Sequence, residues 1–191
     1  MGNYMKSVVE KLSKPLGIED TEFRVQSINY KGEAIMLGYK DARVDMRKLD
    51  EATGGMWQRS HQLIGGHLYS KIEVWDEDSQ QWVGKTDVGT ESMSEATKGE
   101  ASDSFKRAGF NWGIGRNLYD LPLIAVKLIE GTEYKKDGNR NKATWGLKLR
   151  DWTWGAKYND DGVLISLAAK DQNGKLRYNW SESKGVIKNS I

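Results

Sequence analysis

The chain has 191 residues, 38% of them hydrophobic and 29% charged, with a formal net charge of +2 at pH 7. That length fits one domain with a small appendage, and no apolar run approaches the ~20 residues of a membrane span, so a soluble folded protein is expected. The absence of cysteine excludes disulfides, thiolate catalysis and cysteine-ligated zinc, and with only His61 and His67 a metal site would have to recruit carboxylates.

In chain order, residues 5–14 read as a short helix: Met5, Val8, Val9 and Leu12 recur at helical spacing and Pro15 stops it. Val8 and Val9 run into Glu10 and Lys11 rather than into an apolar stretch, so no secretory leader is expected. A reducing, cytoplasmic setting suits the cysteine-free composition. Residues 22–29 and 34–39 read as strands on either side of a Lys31-Gly32 turn; Phe23, Val25 and Ser27 alternate with charged or polar neighbours. Residues 41–52 read as a second helix, with Val44, Leu49 and Ala52 on its apolar side and Gly54-Gly55 as its C-cap. Residues 56–63, 67–75 and 81–88 read as strands divided by Gly65-Gly66 and by the acidic turn 76–80; such short connections make an antiparallel meander.

A long helix follows, with Ser94 as its N-cap and with Ala101, Phe105, Ala108 and Trp112 in one apolar stripe that Gly113 and Gly115 end. Beyond it, residues 123–129, 144–154, 163–168 and 176–180 read as strands, with turn signals at Asp137-Gly138, Asp161-Gly162 and Asn173-Gly174. Residues 181–191 read as frayed. The pattern predicts an α+β fold: an antiparallel β-meander packed on a long helix, with extra C-terminal β-strands. The expected division is 1–130 and 131–191, the second part a β-hairpin region with a short tail.

Charge is unevenly spread. Residues 76–100 carry seven acids against two bases, net −5, whereas residues 104–157 carry eleven bases against five acids, net +6. A basic half beside an acidic stretch points to a polyanion partner, although a solvated surface of mixed sign has the same composition. On the long helix, taking the apolar stripe as zero, Lys98, Ser102 and Lys106 fall about 60°, 100° and 140° round, on one flank, and Arg107 falls on the other. A row of fixed cations beside a sheet tracks phosphates without reading sequence; an ordinary amphipathic helix with solvated lysines presents the same wheel.

The run Ala101-Ser102-Asp103-Ser104-Phe105-Lys106-Arg107-Ala108, followed by Trp112-Gly113-Ile114-Gly115-Arg116-Asn117-Leu118-Tyr119-Asp120-Leu121-Pro122, resembles the signature of the Rad-fifty-two superfamily of single-strand annealing proteins. Its bacterial DNA-damage-response and phage Sak-type branches are the nearest in flavour. Upstream, Tyr39-Lys40-Asp41-Ala42-Arg43-Val44 and Gly55-Met56-Trp57 are similar to the family in order and spacing, so the resemblance covers about residues 39–122. It implies a β-β-β-α core within residues 1–130 that assembles side by side into a ring or filament. It also implies single-stranded DNA held by its phosphates in a basic groove, and annealing of complementary strands in recombination and repair without ATP. Carried over by position, Arg43, Lys98, Lys106 and Arg107 resemble the residues that contact the DNA backbone. Phe110 stands where some members have another arginine, and Thr53 near where some have a turn aromatic. A homo-oligomer is the implied assembly, and a host single-strand-binding protein is a candidate partner.

Neither a P-loop lysine nor a dinucleotide-binding glycine fingerprint is present: Leu118 stands where the third glycine of the latter would fall. No enzymatic activity, catalytic residue, metal or other cofactor is therefore expected. Two other functions remain open at this stage: a single-stranded-DNA-binding protein that coats without annealing, and a metal-dependent nuclease using Asp76, Glu77 and Asp78. Among the eight tryptophans, Trp145, Trp152 and Trp154 cluster in the C-terminal region, where they could stack on bases or pack in a core.

Overall fold

A computed structural model describes residues 2–90, 96–183 and 185–186, with side chains undescribed at 96–98 and 185–186. Two compact units emerge, one from Met1–Leu16 with Lys40–Arg116 and the other from Gly17–Tyr39 with Asn117–Ile191. The second of these units joins early and late parts of the chain.

In the first unit, α1 (Asn3–Leu12) buries Met5, Val8 and Leu12. α2 (Ala42–Thr53) starts where the Asp41 carboxylate accepts the Arg43 backbone N–H, and ends at Gly54 in the left-handed region, φ 62°. The meander consists of β3 (Trp57–Ile64), β4 (His67–Asp76) and β5 (Gln81–Val88), with β4 in the middle. Gly65 and Gly66, both with positive φ, make the first hairpin turn. In the second turn the Asp76 carboxylate accepts from Ser79 Oγ at 2.6 Å and from the Asp78 backbone N–H at 3.2 Å.

Period-two alternation on β4 turns Ile72 and Val74 inward. They meet Phe105, Ala108 and Trp112 of α3 (Ala96–Trp112), the apolar stripe expected from the wheel. Trp112 also donates its indole N–H to the Ile72 carbonyl at 3.0 Å, which satisfies the one polar atom of a fully buried ring. The expected N-cap, Ser94, lies outside the described residues.

In the second unit, β1 (Glu22–Ile28), β2 (Glu33–Tyr39) and β6 (Ile124–Lys127) form an antiparallel sheet in the order β1-β2-β6. β7 (Tyr134–Asp137) and β8 (Arg140–Ala143) form a hairpin. A second antiparallel sheet runs β12-β11-β10-β9, from β9 (Thr153–Tyr158), β10 (Leu164–Lys170), β11 (Leu176–Ser181) and β12 (Gly185–Val186). Ala34, Met36, Ile124, Val126, Leu167 and Tyr178 belong to one core between these strands.

One expected strand is overturned. Residues 144–154 alternate like a strand, but Leu147 N–H turns back onto the Thr144 carbonyl at 3.1 Å and Leu149–Asp151 is a 3-10 turn, so β9 begins only at Thr153. Gly146 lies against the Thr132 carbonyl where a side chain would collide, which fixes this bend. The described residues thus form an α+β protein of antiparallel sheets and three α-helices.

Candidate nucleic-acid interface

The start of α2 and the end of α3 meet on a buried ion pair. Lys40 and Asp45 are both sealed from solvent. The Lys40 ammonium donates to Asp45 Oδ1 and, at 2.9 Å, to the Ile114 carbonyl, and it lies 4.1 Å from the centre of the Phe110 ring. Phe110 therefore covers a buried cation with its ring face. Gly109 faces Asp45 Oδ1 and Gly115 faces the Lys40 stem, and at Gly109 a Cβ would collide. Burial pushes the Asp45 carboxyl up to about 6 against the pull of Lys40, and pushes the Lys40 ammonium down. Among the described residues Asp45 Oδ2 has no hydrogen-bond partner. None of this was expected from sequence, which did not single out Asp45.

Arg43 and Lys106 flank this pair. Arg43 projects from the first turn of α2, its side chain 87% exposed, with Nε 2.9 Å from Asp41 Oδ1. Lys106 is half-buried on α3, close enough for its charge to help hold down the Asp41 and Asp45 carboxyls and to disfavour a charged Lys40. Asp41 occupies the N-terminus of α2, so the positive character here comes from the two side chains rather than from free backbone N–H groups.

Arg107 belongs to a different cluster. Its Nε lies 3.4 Å from Asp87 Oδ1 on β5, and Asn111 Nδ2 bonds the Thr86 carbonyl at 3.0 Å and Asp87 Oδ2 at 3.3 Å. Lys85 and Arg116 close the C-terminal end of α3: Lys85 Nζ donates to the Asn111 carbonyl at 2.8 Å, and Arg116 donates to the Phe110 and Asn111 carbonyls at 2.8 and 3.0 Å. Cations there satisfy the last carbonyls and complement the negative end of the helix dipole. Lys98 falls in the first turn of α3, and its side chain lies outside the described residues. Of the four expected contact residues, Arg43 and Lys106 both act on Asp41, whereas Arg107 pairs with Asp87. Lys85 and Arg116 were missed as a pair. The available signal was register: Lys85 sits opposite Ile72, on the inward face of the meander.

Residues 4–137 match the model of the Rad52/22 family of double-strand break repair proteins. The chain belongs to this family. It is also 27% identical over 121 residues to the single-stranded DNA-binding protein DdrA of Deinococcus radiodurans, covering 62% of this chain and 57% of that one. Against the DdrA protein of Deinococcus deserti it is 30% identical over 94 residues, covering 48% and 46%. The chain thus spans about half the length of each relative. No solved structure matches it significantly. The Rad52/22 match takes in the Lys40–Asp45 pair, both cation clusters and β7, and ends inside the β7–β8 hairpin.

Among the described residues no group of three His, Asp or Glu side chains is placed to hold a metal ion, and no helix is long and apolar enough to cross a membrane. The acids of the 76–80 turn have structural engagements: Asp76 organises the turn, and Asp78 Oδ2 accepts the Tyr4 backbone N–H at 2.8 Å.

Proposed function

We propose that the chain binds single-stranded DNA through its phosphates and anneals complementary strands in DNA repair and recombination, without ATP and without making or breaking a covalent bond. The observation that carries this reading is that Arg43 pairs with Asp41 at the start of α2, where the charge of Lys106 on α3 also reaches, within the span matched by the Rad52/22 family. The names of the DdrA relatives support single-strand binding. On this reading β3–β5 with α3 is the β-β-β-α core of the family. Cations neutralise the backbone, the bases stay exposed, and stacking between paired bases drives the exchange.

Annealing further requires that many weak sites be lined up, which a ring or filament of subunits supplies through avidity. A host single-strand-binding protein would deliver the coated strand, in the cytoplasm of a bacterial or phage-infected cell. Coating without annealing is the second reading, and it is favoured by the relatives' names, which mention binding alone.

One experiment separates them: pairing of complementary oligonucleotides without nucleotide cofactor, beside a control that only coats. Acceleration over naked strands is expected, and Lys106→Ala should weaken both binding and annealing while the melting temperature holds. Tight binding with no acceleration would leave the coating reading. A Lys106→Ala/Arg43→Ala double variant that binds and anneals like the wild type would remove the proposed site.

A further inference from the structure

The C-terminal end of α3 carries two positive charges where one would serve, and it shares no residue with the Arg43–Lys106 site. Lys85 lies on the inward face of β5, opposite Ile72, with its ammonium 4.7 Å from the centre of the buried Trp112 ring. Arg116 stands just beyond the end of α3 and is exposed. Both reach back to one acceptor: the Asn111 carbonyl takes Lys85 Nζ at 2.8 Å and Arg116 Nη2 at 3.0 Å. Two bonds of that length to one oxygen put the charged nitrogens no more than about 6 Å apart.

Like charges that close repel each other. Burial pushes the Lys85 ammonium down, and the Arg116 charge pushes it further. Among the described residues neither Lys85 nor Arg116 makes an ion pair. Asp87, the acid on the same face of β5, is engaged by Arg107 and by Asn111 Nδ2. The carbonyl end of a helix is worth only about half a negative charge, so most of the positive charge here stays unanswered.

Capping does not account for the pair. Arg116 alone reaches the Phe110 and Asn111 carbonyls, at 2.8 and 3.0 Å, and Lys85 adds a second donor to an oxygen already bonded. An ammonium and a guanidinium also keep further N–H donors beyond those spent on these two carbonyls. Convergent donors, a short separation and unoffset charge are what a phosphate group uses, one oxygen on each cation. We infer that Lys85 and Arg116 form a second phosphate-binding point, which takes a phosphodiester of bound single-stranded DNA. It holds the backbone without reading sequence. This inference rests on the single-strand-binding reading above.

The test uses the full chain and a thymidine oligonucleotide as probe, with affinity measured against salt. Lys85→Met keeps a long stem for the Trp112 ring and leaves Arg116 on the Asn111 carbonyl, so its melting temperature should hold or rise as the repulsion is removed. Its affinity should fall about fivefold, the worth of one partly exposed charge pair. Its salt dependence should become shallower by about 0.7, the share of one phosphate on a single strand. Arg116→Met should flatten the slope likewise, whereas Arg116→Lys, which keeps the charge, should retain it. A pair that serves only to cap α3 gives the reverse: Lys85→Met melts lower and binds with the wild-type affinity and slope. That result, or an unchanged slope in both methionine variants, overturns the inference; if Lys106→Ala still weakens binding, the first site stands. A wild type that binds no single-stranded probe overturns the functional reading and this site together.

Discussion

Lys40 and Asp45 carry opposite charges where neither meets water. Removing one partner of a buried ion pair leaves an uncompensated charge and costs about 3–5 kcal/mol. Lys40→Met should therefore lower stability by about that much near neutral pH, measured by chemical denaturation. The pH dependence has a definite sign. Asp45 already sits at about 6, above its ordinary 3.8, and without the pull of Lys40 it rises further. A folded-state value above the unfolded one means that the folded state takes up the proton first, so acidification favours folding through this group. The deficit of Lys40→Met relative to the wild type should thus shrink as pH falls from neutral toward about 6. A deficit independent of pH over that window would show that Asp45 does not hold the charge. The sequence displays Lys40 inside a recognisable motif and Asp45 one residue beyond it, yet a lysine before a helix cap and an aspartate in its first turn look solvated. Only the third dimension places the Ile114 carbonyl and the Phe110 ring around them.

At the scale of elements, legibility follows the range of the interaction. The α3 stripe of Phe105, Ala108 and Trp112 is a local periodicity, and it is buried as expected. The three meander strands are joined by short turns, so their partners are also local. The pairing of β2 with β6, Met36 against Ile124, is not local, and nothing in the alternation of either segment names the other. The bend after Thr144 was hidden for a similar reason: its cause is Gly146 against Thr132, across the hairpin. The candidate site divides in the same way. The wheel separates Lys106 from Arg107, but it cannot show that Arg107 meets Asp87 on β5 while Lys106 nears Asp41 and Asp45. Packing of α3 against α2 gives a test of its own. Gly109 lets the helix approach the ion pair, and its Cβ position is already filled by Asp45 Oδ1. Gly109→Ala should cost about 1–3 kcal/mol through overpacking. It should also weaken single-strand binding more than its loss of folded fraction explains, because the spacing between Lys106 and Arg43 shifts. An alanine variant with wild-type melting and binding would mean that α3 can slide freely over α2.

At the scale of the whole molecule, the proposed annealing asks for more than one subunit can offer, and on that reading the open edge of the meander is where another would add. β3 is an edge of its sheet, paired only with β4 among the described strands. It is exposed over nearly all its length, and Leu63 at its end is 72% exposed with Ile64 beside it also open to solvent. An exposed edge with apolar side chains is a template for pairing with another chain, and a soluble protein that keeps one commonly uses it. Charges on an edge oppose such pairing. Leu63→Lys/Ile64→Lys changes residues outside the buried core, so the fold should lose no more than about 0.5 kcal/mol per site. The expected result is a smaller particle by light scattering and slower annealing. Binding to a short oligonucleotide, which needs only one subunit, should persist. The salt dependence on a long strand should become shallower as well, since fewer aligned subunits displace fewer counterions. If the wild type is a monomer at micromolar concentration with DNA present, side-by-side assembly is wrong. If the variant keeps the wild-type mass and annealing rate, the subunits meet elsewhere than at β3.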